Sequence, residues 1–389
     1  MGCGIMTEIK VDNIVNLAGT GKPNFPVSPT VGASGSALST LNTYSYTSSG
    51  TEPSSPNNGA LWWDSANEKV FVYIAGEFKE IELGTAYSSF NWGGDRGVVF
   101  GTSSSYNDIM YFDITGSGGG SANFGDMTAE RSTASAGSSG SRVLMGGGYD
   151  GANTANSGRS PIIDYITPSS TGNATDFGDL TAGRNALQAV SNGTRCVFGG
   201  GYTNNQGVGH AMWTTAMDYV TIATTGNATS FGNMTNLGYN LGGTGGSDST
   251  RGLFMGGIET TNKSIDYITF STTGNAADFG DLIYSVDRNS ACSDTTRTIS
   301  FGGASGHSPG FLNIEYVTTQ TLGNATDFGD LSGNGNHSSN GSMSNGTIAI
   351  AQTGIHLDKV TIQTTGNATD FGDLLETRTG NSASSGSPS

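Results

Sequence analysis

The chain has 389 residues, of which 62 are glycine, 34% are hydrophobic and only 12% are charged, with a formal net charge of −16. So few charges exclude a typical disordered chain, and six lysines and ten arginines without a basic cluster exclude a protein that tracks phosphates on nucleic acid. Gly, Ser, Thr and Asn supply turns while Val, Ile, Tyr and Phe supply strands, so the composition points to short β-strands joined by many turns.

The first ten residues, MGCGIMTEIK, hold no apolar run suited to a secretory leader, and no later stretch approaches membrane-spanning length. Synthesis in a cytoplasm without membrane insertion is the expectation. Cys3, Cys196 and Cys292 have neither the number nor the spacing of a disulfide framework or a metal knuckle. Residues 1–33 read as an N-terminal arm and residues 34–58 as a Ser/Gly/Pro-rich linker almost without charge. Residues 59–85 read as a small β-meander of three strands, with the runs LWW, VFVYI and FKEI separated by DSANEK and AGE. Such a sheet buries little by itself and is expected to pack on something else.

From residue 86 to 389 the chain is a repeat. The phrase TGNATDFGDL recurs at Thr171–Leu180, Thr225–Met234, Thr273–Leu282, Leu322–Leu331 and Thr365–Leu374, with a decayed copy ending at Met127. Its phenylalanines are Phe124, Phe177, Phe231, Phe279, Phe328 and Phe371. An apolar run led by Arg and ending in Gly keeps phase with it at Arg96, Arg142, Arg195, Arg251 and Arg297, and without its Arg at Gly346–Ala351. A third phrase of the type IDYIT surrounds Tyr111, Tyr165, Tyr219, Tyr267 and Tyr316, with Lys359 at the sixth position. Each unit thus predicts four strands in order: a small-residue strand such as STASAG, the Arg-to-Gly strand, the Asp-Tyr strand and the Phe-Gly-Asp-Leu strand. Four short strands and their turns fill one propeller blade, so an all-β, six-bladed propeller is predicted. Both the tail ETRTGNSASSGSPS and the segment SSFNWGG compete to be the opening strand of the first blade. A seven-membered ring with a merged blade and a β-prism-like stack are the alternatives.

Gly-Gly, an acidic-Tyr strand, an aromatic before Leu, and then Arg resemble the kelch repeat over about 300 residues, with Phe standing where kelch repeats usually carry Trp. Arg131, Arg184 and Arg378 each follow the repeat Phe by seven residues; the units after Phe231 and Phe328 have no Arg there, and the unit after Phe279 shifts it to Arg288. This resemblance implies a fold and no activity. The phrases KVDNIVNLAGTGKPNFP and PNNGALWWDS with VFVYIAGEF resemble the N-terminal segments of tail fibres and related appendage proteins of marine phages, cyanophages especially. The resemblance covers roughly the first 85 residues and implies that they attach an appendage to the particle and trimerise. Virion attachment then falls to Val11, Ile14, Phe25, Trp62 and Trp63. The long shaft of an extended fibre is missing, which leaves a short appendage, a nozzle part or a capsid decoration.

Asp-Phe-Gly at Asp176, Asp278, Asp327 and Asp370 matches a kinase magnesium motif, but its repetition and the lack of a nucleotide loop favour a core Phe and a turn-capping Asp. Asn-Ala-Thr at Asn173, Asn227, Asn324 and Asn367 reads as turn chemistry rather than as a glycosylation acceptor. The non-repeating acids Asp150, Asp248 and Asp287 have no catalytic companions, and His210, His307, His337 and His356 lack metal-ligand spacing. No catalytic residue, metal or cofactor is expected. Repeats place function in the loops of one face, and here the loop after the Gly-Gly strand varies most. Tyr149, Tyr202, His210, Trp213 and His307 in those loops are of the type that stacks on sugars and donates hydrogen bonds. The expected function is a non-enzymatic virion structural protein, a tail-fibre-like or decorating appendage, found in the virion after synthesis in a host cytoplasm. Its expected partners are other virion proteins and a host-surface glycan or protein, with a homotrimer favoured. A bacterial surface kelch-type lectin or adhesin is the alternative, and a kelch-type oxidase or a sialidase lacks its copper-ligand set or Asp boxes.

Overall fold

Three phrases in phase require three kinds of strand per unit, and the computed structural model describes them all, together with a fourth. It covers residues 46–49, 51–54, 60–64, 69–74, 77–81, 93–101, 107–118, 120–150, 158–204, 211–236, 245–257, 263–304, 312–333, 341–376 and 382–387. The N-terminal arm, with Val11, Ile14 and Phe25, lies outside the described residues, as do His210, His307, His337 and Arg378.

The chain divides between Ala86 and Tyr87 into two units. In the first, Leu61–Asp64, Lys69–Ile74 and Glu77–Ile81 form the antiparallel meander. A fourth strand, Tyr46–Ser49, pairs in parallel with Leu61–Asp64, although it falls in the stretch read as linker. Trp62 is buried and stacks on Phe71 at 4.8 Å with Phe78 against its edge. It therefore serves as the core of this small sheet; the side chain of Trp63 lies outside the described residues.

The second unit is a six-bladed β-propeller, and the described residues contain no helix. Blades 2 to 6 each run from the axis outward in chain order, as in blade 2: Ser135–Ser138, Val143–Gly146, Ile162–Ile166 and Thr175–Asp179. Blade 1 is assembled from both ends of the unit. Ser382–Gly386 is its inner strand, paired antiparallel with Arg96–Phe100, and Asp108–Asp113 and Ala122–Asp126 complete it. The tail thus takes the opening position that SSFNWGG also competed for, and the inner strands meet in a closed circle around the axis.

The core consists of six layers, one between each pair of neighbouring blades. The layer between blades 2 and 3, for example, joins Leu144, Ile163 and Phe177 to Leu187, Cys196, Phe198 and Val220. Burial on both faces explains why the strands are apolar on both sides. Each outer strand carries a β-bulge at its phenylalanine: Ile163 pairs with Gly178 and Asp164 with Asp176, so Phe177 is the extra residue. The bulge turns the Phe carbonyl outward. There it accepts the backbone N–H of the next blade's Thr-Gly-Asn-Ala segment, Gly172 to Phe124, Gly226 to Phe177, Gly274 to Phe231, Gly323 to Phe279 and Gly366 to Phe328. The Asn of the same segment accepts from the preceding blade, as Asn173 Oδ1 does from Asp126 N at 3.1 Å, and the Ala N–H returns a bond to the Asp126 carbonyl. Four more blade pairs repeat this strap. The Asn-Ala-Thr phrase is thereby inter-blade hardware as well as a turn.

A second tie spans the same pairs. The guanidinium of Arg96, Arg142, Arg195, Arg251 and Arg297 lies over the tyrosine of its own blade at 4.2–4.9 Å. Each then donates to a turn carbonyl of the following blade, for example Arg142 to Ile222 and Ala223 at 3.0 Å. In five blades the tyrosine meets the repeat phenylalanine edge to face. At the axis a serine from each blade, Ser138, Ser191, Ser247, Ser293, Ser344 and Ser385, occupies one register position. Several of their hydroxyls bond the backbone of the preceding blade, as Ser247 does to the Ser191 carbonyl.

The strap makes a paired prediction. A Cβ on Gly178, at φ +143°, would sit 2.5 Å from the Gly226 carbonyl oxygen, whereas a Cβ on Gly274 meets nothing within 4 Å. Gly178→Ala is expected to destabilise the propeller by at least about 2 kcal/mol and Gly274→Ala by less than about 0.5 kcal/mol in denaturant unfolding. Equal effects would remove the strap from the account.

Candidate ligand-binding face

The loops between second and third strands differ sharply in length. They run from Gly146 to Ile162 in blade 2 and from Gly199 to Ala216 in blade 3, but only from Thr353 to His356 in blade 6. A buried arginine stands beneath each of the two long ones. Arg131 donates from Nη1 to the carbonyls of Gly147 and Ile162, the two ends of the blade 2 loop, and from Nη2 to Asp164 at 2.6 Å. Arg184 repeats the arrangement in blade 3, reaching Gly200, Ala216 and Asp218 at 2.9, 2.5 and 2.7 Å. Both ion pairs are essentially free of solvent. Burial pulls each guanidinium down from its usual range, and the facing aspartate opposes that pull. Thr128 and Thr181 hold those aspartates in place by donating backbone N–H and hydroxyl.

On this base sits a small extra sheet, in which Tyr202–Asn204 pairs with both Arg184–Asn185 and Ala211–Trp213. Directly opposed in that register, Tyr202 and Trp213 bring their rings to 4.4 Å. Arg159 of the blade 2 loop lies over the Tyr202 ring, 4.5 Å from its centroid. Arg159 is also bridged through its backbone to Tyr149, whose ring packs against Gly158 and is 38% exposed. Tyr149, Tyr202 and Trp213, separate in sequence, are therefore brought together, with Arg159, buried at 9% exposure, as the link beneath them. Arg159 is the member that sequence reasoning passes over. Its only signal is an arginine inside a loop, out of phase with every repeat position.

The other candidates are placed elsewhere. Asp248 caps the turn before Arg251, accepting from Thr250 N and Arg251 N at 2.7 Å, and Asp294 does the same one blade later. Asp248 is thus half of a repeated turn rather than a lone acid. Asp287 exchanges backbone hydrogen bonds with Ala304, and burial raises its carboxyl pKa against the pull of Arg288. His356 Nδ1 lies 2.8 Å from Asp373 in an exposed pair. The Asp of Asp-Phe-Gly is exposed within the outer strand rather than in a turn, and at Asp370 its side chain accepts from Gly372 N across the bulge. Cys196 and Cys292 are free and buried, with their thiols pushed up by that burial. No group of three metal-ligating side chains occurs among the described residues.

These features define a six-bladed β-propeller whose blades 2 and 3 carry a pinned, aromatic-cationic patch. Comparison with known proteins gives no matching family model and no similar curated sequence.

The uneven placement of buried charge can be probed from both sides. Arg184→Ala strands Asp218 without its cation and frees two loop-end carbonyls, so a loss of about 3–5 kcal/mol is expected by chemical denaturation. In blades 4 and 5 the equivalent acids have other donors, the backbone N–H and hydroxyl of Thr235 for Asp266 and the backbone N–H groups of Ile283 and Tyr284 for Glu315, and burial raises both pKa values. A raised folded-state pKa gives stability that is full below the unfolded value and is lost as pH rises through the folded value. The melting temperature of Asp266→Asn should accordingly fall less than wild type between about pH 4 and pH 7; parallel curves would show that Asp266 carries no such linkage.

Proposed function

We propose that this chain is a non-enzymatic virion structural protein, a tail-fibre-like or decorating appendage with a kelch-like propeller. Its N-terminal region attaches to the particle, and the loops of blades 2 and 3 bind a saccharide of the host surface. The observation that carries the binding half is the patch of Tyr149, Arg159, Tyr202 and Trp213 above two buried arginines. Aromatic rings offer flat apolar faces to the C–H faces of a sugar, and a cationic or hydroxyl edge orients its oxygens. Pinning the loop ends lowers the ordering cost of binding, which is where affinity is otherwise lost. The viral half is supported by the resemblance of the first 85 residues to phage appendage segments. The repeat supports it further by holding its scaffold constant while varying the loops of one face.

Two measurements test the halves separately. Peptide mass spectrometry of purified particles should find this chain as a stoichiometric component, and its absence would move the reading to a bacterial surface lectin. On a glycan array the full chain should retain a defined set of saccharides, with Tyr149→Ala and Trp213→Ala each weakening retention at least about tenfold. Retention unchanged in both variants, or no retention by the wild-type chain, removes the saccharide site.

A further inference from the structure

The ring of blades is tied evenly at five joints and differently at the sixth. Between blades 1 and 6 taken in chain order, every joint has an arginine lying on its own tyrosine and reaching the next blade, plus an asparagine of the strap. At the joint from blade 6 back to blade 1, Ile348 stands in the arginine position, Lys359 in the tyrosine position and Gly120 in the asparagine position. This joint keeps an apolar layer like the others, with Phe112 against Phe371 at 5.8 Å, but its polar ties among the described residues are different: Asn345 to Asp95 at 2.8 Å, Leu375 N to the Ser121 hydroxyl at 3.0 Å, and the Ser385 hydroxyl to the Ser344 carbonyl at 2.5 Å.

The same joint contains the one inner strand that no hairpin ties to its neighbour. In blades 2 to 6 the inner strand passes through a short turn into the second strand, as Ser138 does to Val143, whereas Ser382–Gly386 comes from the far end of the sequence to pair with Arg96–Phe100. Its strand pairing is confined to blade 1, and beyond that blade it is tied by the Ser385 hydroxyl to the Ser344 carbonyl and by Ser387 N to the Gly140 carbonyl. The slot it fills admits only small side chains: a Cβ on Gly386 would lie 2.2 Å from Pro168 Cγ, and one on Gly341 would lie 2.6 Å from the Ala383 methyl. Ser382 and Ala383 are fully buried there. The sequence Ser-Ala-Ser-Ser-Gly satisfies these limits, and every copy of the chain carries it.

We propose that blade 1 is a strand-exchange site, in which the slot beside Arg96–Phe100 takes the Ser382–Gly386 strand of a second copy of this chain. An exchanged strand makes the same contacts as the chain's own, so the balance is set by protein concentration and by the opening of this joint. This inference does not rest on the saccharide reading.

The test uses full-length chains carrying Cys3→Ser. One preparation has Val98→Cys and another Ser384→Cys, residues that face each other in the register. A double variant with both changes controls for geometry and is expected to close a disulfide within one chain. Mixed and oxidised without denaturant, the two single variants are expected to give a disulfide-linked heterodimer whose share grows with concentration. Peptide mass spectrometry should map that bond to the two introduced cysteines. A double variant that closes while the mixture stays monomeric overturns the proposal. Hydrogen exchange on the unmodified chain reads the same joint independently. Amides of Ser382–Gly386 are expected to exchange at least about tenfold faster than those of Gln188–Ser191, the matching inner strand of blade 3. Equal protection of the two strands overturns the proposal as well.

Discussion

Everything in the propeller follows from what happens to the carbonyl oxygen of the repeat phenylalanine. An outer strand presents an unpaired edge, and an edge left open invites another chain to pair with it. Here a bulge at Phe124, Phe177, Phe231, Phe279 and Phe328 aims that carbonyl at the neighbouring blade, which answers with a glycine N–H. The approach is so close that the residue after each phenylalanine must lack a Cβ, as the 2.2 Å separation of a Gly125 Cβ from the Gly172 oxygen shows. The recurring decapeptide is therefore a two-sided fastener: its first half seals the previous blade, and its second half waits for the next.

This fastener accounts for what could and could not be read in the sequence. The blade count and strand order were visible because three phrases repeat in phase, and periodicity needs no knowledge of partners. The role of Asn173 was not visible, because its donor, Asp126 N, lies 47 residues away and nothing local marks the pair. Ring closure is ambiguous for a similar reason: the strand that selects between the two segments, Arg96–Phe100, lies at the opposite end of the unit from the tail. What selects the tail is the register opposite Arg96–Phe100, with Ala383 buried against Val99 and Gly386 against Pro168. The parallel strand Tyr46–Ser49 escaped because its run of Tyr, Thr and Ser has no apolar alternation to separate it from a linker.

The arginines in phase with the repeat divide into two populations that composition alone merges. Those leading the second strand are half-buried, lie on a tyrosine and spend their donors on a neighbouring blade, so they act along the ring. Arg131 and Arg184 are buried, face an aspartate and spend their donors on both ends of one loop, so they act within a blade. Spacing from the phenylalanine locates this second population in the sequence but attaches no consequence to it. The consequence appears only when the carbonyls it binds are seen to be the two feet of a loop.

Buried ion pairs are a poor means of adding stability, because desolvation cancels most of the attraction. Their restriction to particular blades therefore needs another reason. Blade 4 keeps the aspartate as Asp266 and satisfies both its oxygens through Thr235, while in blade 6 Asp358 accepts from Ser332 N at one oxygen and leaves the other buried without a partner among the described residues. The fold does not require the cation. What distinguishes blades 2 and 3 is a long loop, whose closure costs entropy that grows with its length and whose ends would otherwise splay. A guanidinium spreads its donors over separate nitrogens in a rigid plane and so holds two carbonyls from one nitrogen and a carboxylate from another, whereas a lysine ammonium gathers acceptors around a single atom and threonine has one hydroxyl donor. The charge is thus placed where a loop is long and its two feet are held together.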